Sequence, residues 1–491
     1  MAELLAAAAA PRTYAGGKLL PAGQRHLVSR FSYGVTPALA TQVRRKGGAK
    51  KWFAWQLKGT AIKDRTHATT KTWWPDLARG PESLWKRSSS GVRGGWEVMA
   101  DYQRWVIVRR MTSQQQVLET MTQFWEGHLY VPTNGEQWFT HRVSYGETIR
   151  KHALGRYDQM LYAAITHPAM LLYLDNATST AKSPNENLGR ELLELHTVGR
   201  GHYTEADVKD SARILTGWHV DMWKTWKASY RTDMHATGRV KVKNFSHANA
   251  SGDGRELTRK YLHHLARHPD TARRIATKLA IKFVGDNPSP ALVSKLARVY
   301  LKNDTAIKPV LNALVQSKAF KASAGKKVRD PIEDVIATYR VLGVKVARPT
   351  SSSSGANAVL WQAQGIGATP FGWPRPDGTP IDNGPWTSTS RILASLRNHY
   401  TMSGGWWPTE RLTYRTPRSW VPKSGMRFDA LVDHLSRNLL HRPATPRLVR
   451  ACSEAVGIKA GTRITHDHAL VRWQMPRLLT TVLDSPHFFG R

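Results

Sequence analysis

One cysteine, Cys452, stands in 491 residues, so no disulfide can form within the chain. Its setting, RLVRACSEAVGI, has helical apolar spacing and casts it as a small core residue rather than a nucleophile. The lack of a second cysteine excludes a disulfide-stapled scaffold without fixing a compartment. Long apolar runs are missing too. No stretch approaches the roughly 18 uninterrupted apolar residues that a membrane helix requires. The alanine-rich start MAELLAAAAAPRTYAGG carries Glu3 where a signal peptide has basic residues. Several catalytic signatures are absent: there is no HExxH and no GxSxG, and GVRGGW at 91–96 lacks the GK[ST] ending of a phosphate loop. No zinc finger or RRM signature marks a nucleic-acid module. Negative charge is scarce, with 36 Asp plus Glu against 72 Lys plus Arg and a formal net charge of +36. That excess favours polyanions such as acidic polysaccharide, teichoic-type wall polymer, nucleic acid or an anionic membrane surface, unless it serves solubility alone.

What is present is helix. The spacing predicts a mainly α protein: an extension at 1–24, then one large multi-helix body over 25–485. Thr36-Pro37 reads as a helix start. VLETMTQFWEGHL sets Leu118, Met121, Phe124 and Trp125 toward a core, with His128 near the helix end. RDPIEDVIATYRVLGV places Pro331 in a first turn. An irregular or short-stranded insertion is expected near 219–254, where YRTDM and RVKVKNF are strand-like. Residues 60–95 read as loop, 129–145 as a connection, 349–358 (PTSSSSGANA) as a flexible loop or hinge, and 371–386 as a long Pro/Gly-rich loop.

The chain is organised around NENLGRELLELHTVGRGHYTEADVKDSARILTGW, residues 185–218. Leu188, Leu192 and Leu195 recur at helical spacing. Glu186, Arg190 and Glu194 fall four apart on a second face, and Asn187 and Glu191 share a third. Gly199 and Gly201 stop this helix, and Thr204 with Asp207 caps the next. Carboxylates packed beside an arginine and a histidine suit general acid/base chemistry. Glu191, Glu194 and His196 are the catalytic candidates, and Arg190, Asn187, His128 and Asp175 the binding or positioning ones. The same set also suits an ion-pair lattice fastening helix to helix. His128, His196, His247, Asp175 and Glu191 are metal-ligand types, but their spacing forms no ligand motif, so no metal or other cofactor is assigned. Trp218, Trp223 and Trp226 alternate with Lys224, Lys227 and Arg231, and with Trp386, Trp406 and Trp407 offer stacking faces for sugar rings or bases. Their bland role is to fill a helical core.

The 185–218 stretch resembles the signature of a bacterial family catalogued as domain of unknown function 1800. FWEGHL, HPAMLLYLDN, ARHPDTARRIATKLAIKFVGDNPSP, RDPIEDVIATYRVLGV and FGWPRPDGTPIDNGPW agree in order, so the resemblance covers about residues 25 to 485. It implies a mainly helical protein, exported or at the cell surface, often beside a sulfatase-like partner protein. The chain departs from the family in having no clear export signal. It also has SHANASGDG where the family tends to a His-Asp-Pro-Gly-like turn, leaving only His247 to carry over. The expectation is a hydrolase or lyase acting on an anionic polymer, an acidic polysaccharide or wall polymer rather than nucleic acid. The alternative is a non-catalytic polyanion-binding or cell-surface assembly protein.

Overall fold

The computed structural model describes residues 18–491, so the alanine-rich start and most of the expected 1–24 extension lie outside the described residues. Twenty-four α-helices and four two-stranded antiparallel sheets make up the regular structure among them. The protein is mainly α. Local chemistry sets many helix starts. Thr36 accepts the Leu39 N–H at the head of Pro37–Arg45. Asp330 and Glu333 form a capping box on Pro331–Leu342, and Thr204 and Asp207 form one on Glu205–Leu215. Two of the sheets fall in the expected insertion. Trp218–Val220 pairs with Ala228–Tyr230, and Val240–Val242 with Phe245–His247.

The loop expectations need correcting. Residues 60–95 hold the helices Thr66–Lys71 and Pro81–Ser89, because Pro81 supplies a ready first turn after Gly80. The 129–145 connection ends early, at the helix Phe139–His152. Residues 95–128 form two helices, Gly95–Thr112 and Gln116–His128. At the break, Asp64 accepts from the Ser113 hydroxyl and the Gln114 N–H, drawing the backbone out of the helix. The serine run is tied down rather than hinge-like: Thr350, Ser351, Ser353 and Ser354 all donate to Glu410, and the helix Gly355–Ile366 starts directly after them.

Two hydrophobic cores organise these helices. One is built from Leu20–Leu57, the 117–131 helix end and most of 145–320. The other joins Val98–Met111 to the helices between Ile332 and Phe488. Buried ion pairs stitch the cores together. Arg109 and Arg150 hold Glu119 at 2.9 and 2.8 Å, Arg142 holds Glu126 at 3.2 Å, and Lys282 and Arg491 hold Glu333 at 2.8 and 2.5 Å. The two guanidiniums beside Glu119 outweigh its burial and hold its carboxyl down at about 2.

Candidate functional site

The organising stretch folds as two helices, with one feature its spacing does not reveal. Glu186–Glu191 is α-helical, but Leu192–His196 is a π-turn. The wider turn breaks the 3.6-residue repeat, a distortion common at functional sites. Leu188, Leu192 and Leu193 are fully buried while Leu195 is only half-buried, and His196 turns into the core at 1% exposure. Arg190 keeps Glu186 at 3.2 Å but reaches across to Glu205 at 2.7 Å, leaving Glu194 to the Tyr203 hydroxyl and to Arg200. Gly189 allows the two helices to touch: a Cβ there would lie 2.9 Å from the Ala212 nitrogen.

His128, at the end of Gln116–His128, meets His196 across the core. His128 Nε2 lies 3.1 Å from the His196 carbonyl, and His196 Nδ1 lies 2.9 Å from the His128 carbonyl. A carbonyl only accepts, so both ring nitrogens carry protons and each ring donates to the other's backbone. The tautomer of His128 follows: its Nδ1 is bare and accepts from Lys278 Nζ at 3.1 Å. Tyr157 adds a hydroxyl donor to the same His196 carbonyl at 2.5 Å. Burial drives both imidazoles well into the neutral form, His196 down to about 3. His196 Nε2 is buried without a partner.

Lys278 is the residue the sequence reading missed. It sits on Pro269–Phe283, where burial, with the Arg274 cation second, pulls its ammonium down to about 7. Asp377 works against that shift, and the same Asp377 helps raise Glu191, so the exposed loop carboxylate overlooks both groups. Burial is the chief cause of the raised Glu191 carboxyl, followed by the negative charge of Glu194. Glu191 is half-buried and makes no hydrogen bond or ion pair, unlike Glu186, Glu194 and Glu205 around it. Tyr173 stands beside it and is raised to about 12, by burial first and then by Glu191. Arg274 donates to the Leu195 carbonyl at 3.2 Å, pinning the π-turn. The 371–386 loop is seated by Gly378, whose positive φ and contact with the Gly127 backbone leave no room for a Cβ.

The other expected residues are placed as follows. Asp175 is exposed and accepts from Asn187 at 3.2 Å, beside the first turn of the signature helix. Trp218 and Trp386 spend their indole N–H groups internally, on Thr258 and on the Pro380 carbonyl. Trp223, Trp406 and Trp407 are exposed, whereas Trp226 is sealed. His247 accepts from the Asn249 N–H and stands in the second small sheet, within the insertion. Among the described residues, no group of three or more His, Cys, Asp or Glu side chains is arranged to hold a metal ion. No helix there is long and apolar enough to cross a membrane.

The family described as "Protein of unknown function (DUF1800)" matches residues 26–490, nearly the whole chain. The chain belongs to the DUF1800 family. Neither the curated proteins nor the solved structures contain a match. A signal for Lys278 does stand in the sequence. Arg274, Lys278 and Lys282 recur every four residues in ARRIATKLAIKF, a row of cations laid beside an apolar stripe.

Proposed function

We propose that this protein is a lyase or hydrolase acting on an anionic polysaccharide, with Glu191 and Lys278 as its acid and base. The observation that carries the reading is the pair of oppositely displaced groups: an unpaired carboxyl pushed up and an amine pulled down to about 7 beside one loop. A carboxyl displaced toward protonation and an amine displaced toward neutrality are the two shifts that elimination from a uronate uses. Lys278 takes the proton from the carbon next to the uronate carboxylate. The electron pair forms the new C=C bond as the glycosidic C–O bond breaks, and Glu191 gives its proton to the leaving oxygen. Arg274, whose guanidinium faces this cluster, offsets the charge that builds on the uronate carboxylate. His128 and His196 hold Lys278 and the π-turn in place rather than touching substrate. The surplus of positive charge draws the polymer to the surface. Export to the cell surface and work beside a sulfatase-like protein remain part of this reading, supported by family resemblance.

The second reading, a binding or assembly protein, draws on the satisfied ion pairs of Arg190 and Glu194 and on the sealed histidines. A panel of uronate polysaccharides and wall polymers separates the two. Ultraviolet absorbance from an unsaturated uronate that disappears in Glu191→Gln and Lys278→Met supports elimination. New reducing ends without that absorbance support hydrolysis. Binding with neither product, unchanged in both variants, leaves the assembly reading.

A further inference from the structure

A pocket of about 460 Å³ lies far in sequence from the Glu191 site, between the Ala22–Arg30 helix, Lys321 and the last residues of the chain. Arg25, His26, Lys321, Arg329, Arg442 and His487 contribute to its wall, and no Asp or Glu does. Arg329 is buried and Arg25 and Arg442 are half-buried, and none of the three makes an ion pair, although the Glu333 and Asp334 charges act on Arg329 from nearby. The Arg442 and Lys321 side chains make no hydrogen bond or ion pair. Arg25 has one long contact, 3.4 Å to the His441 carbonyl. Arg329 is 5% exposed, donates to the Phe488 carbonyl at 2.8 Å, and keeps a second guanidinium nitrogen buried without a partner. Beside His26 on the same helix, Arg30 is 1% exposed and has two such nitrogens. Arg491 also lines the pocket, but its charge is met by Glu333, which Lys282 already shares.

The arginines feel one another and add to burial in driving the pocket's imidazoles, His26 and His487, toward the neutral form. After burial, Arg442 is what lowers Arg25, and Arg442 and Arg25 are what lower His487. Burying guanidiniums with unsatisfied donors is unfavourable unless something anionic offsets it. An Arg fork matches the oxygens of a tetrahedral oxyanion, two bonds at a time. The volume exceeds what a bare ion needs and falls in the range of roughly 300–1,000 Å³ typical of small-molecule sites.

We propose that this pocket binds a phosphate-type oxyanion, gripped by Arg25 and Arg442 at the mouth, with Arg30 and Arg329 supplying a fixed positive field behind it. The site shares no residue with the Glu191 cluster, and its occupancy does not depend on what that cluster catalyses.

The test is the thermal unfolding midpoint of the whole protein, titrated with inorganic phosphate and separately with glucose 6-phosphate, against sodium chloride at matched ionic strength. The comparison set is wild type, Arg25→Gln/Arg442→Gln, and a charge-matched control, Arg298→Gln/Arg472→Gln, which removes two exposed arginines elsewhere. A saturable rise in midpoint for wild type and control, with apparent affinity at least tenfold weaker in the pocket variant, is the expected result. Tighter glucose 6-phosphate assigns the site to an esterified oxyanion, and equal or tighter inorganic phosphate to the free ion. If the double variant does not fold, Arg442→Gln alone carries the comparison, since its side chain holds no partner in place. A rise that chloride reproduces, or one retained in full by the pocket variant, overturns the proposal.

Discussion

Replacing Lys278 with methionine is expected to make the protein more stable and, as the proposed base is removed, to abolish the proposed elimination. An ordinary lysine ionises at 10.5, and this one at about 7. A base lowered on folding carries no penalty above the unfolded value. It loses stability as pH falls from 10.5 through 7, because the unfolded chain binds the proton more tightly. At about 1.4 kcal/mol per pH unit, the linkage costs the fold ~4 kcal/mol at pH 7. Methionine matches the aliphatic stem and removes this cost, but it also removes the donor to His128 Nδ1, a loss of about 1 kcal/mol. Solvent reaching the half-buried side chain takes a further share, leaving a net gain of ~2 kcal/mol. The assay is urea unfolding of wild type and Lys278→Met at several pH values from about 7 to about 10, where the linkage operates. The variant's advantage should be largest at the neutral end and vanish at the alkaline end. A variant less stable at neutral pH, with a difference that does not change with pH, would falsify the desolvated amine and with it the base assigned to Lys278.

Other perturbations follow from the same structure. Glu191→Gln loses no partner and removes a carboxyl whose charge burial disfavours, so it should leave the fold at least as stable as wild type at neutral pH while removing the proposed polymer cleavage; unfolding and product assays run side by side check both. Gly189→Ala drives a methyl onto the backbone of Glu205–Leu215 and costs ~1–3 kcal/mol, read as a lower urea midpoint. Glu333→Gln strands Lys282 and Arg491 at the seam between the cores and costs ~3–5 kcal/mol, and an unchanged melting temperature would sink that account. His399, fully buried between Asp334 and Asp484, is raised to about 9, chiefly by Asp334 against the pull of burial. Its contribution of ~3 kcal/mol is fully present below about 6.5 and lost as pH rises through about 9, so His399→Gln should flatten that part of the alkaline stability curve.

Much of this molecule is local and therefore legible in the chain itself. Capping chemistry at Thr36, Thr204 and Asp330, the prolines in first turns and the glycines after helix ends depend on neighbours within a few residues. These fix helix boundaries without reference to the rest of the fold. The helical class and the short-stranded insertion came from the same periodicities, and the signature around Glu191 marked where carboxylates gather. The short helices in 60–95 escaped because six to nine residues carry too little periodic signal to stand out from an aromatic-rich loop.

The site itself needed tertiary structure, for three physical reasons. The π-turn at Leu192–His196 is held by Arg274, 79 residues away in sequence, so no local pattern could announce it. The ionisation of Lys278 is set by burial and by Arg274 and Asp377, none of which its own helix pattern weighs, and composition counts it as one more cation among 72. Which of four neighbouring glutamates stays unpaired was decided by where Tyr203, Arg200 and Glu205 landed once the second helix closed on Gly189. Sequence determined which groups were available; folding decided which were desolvated and which were left without a partner, because both depend on distances between segments far apart in the chain.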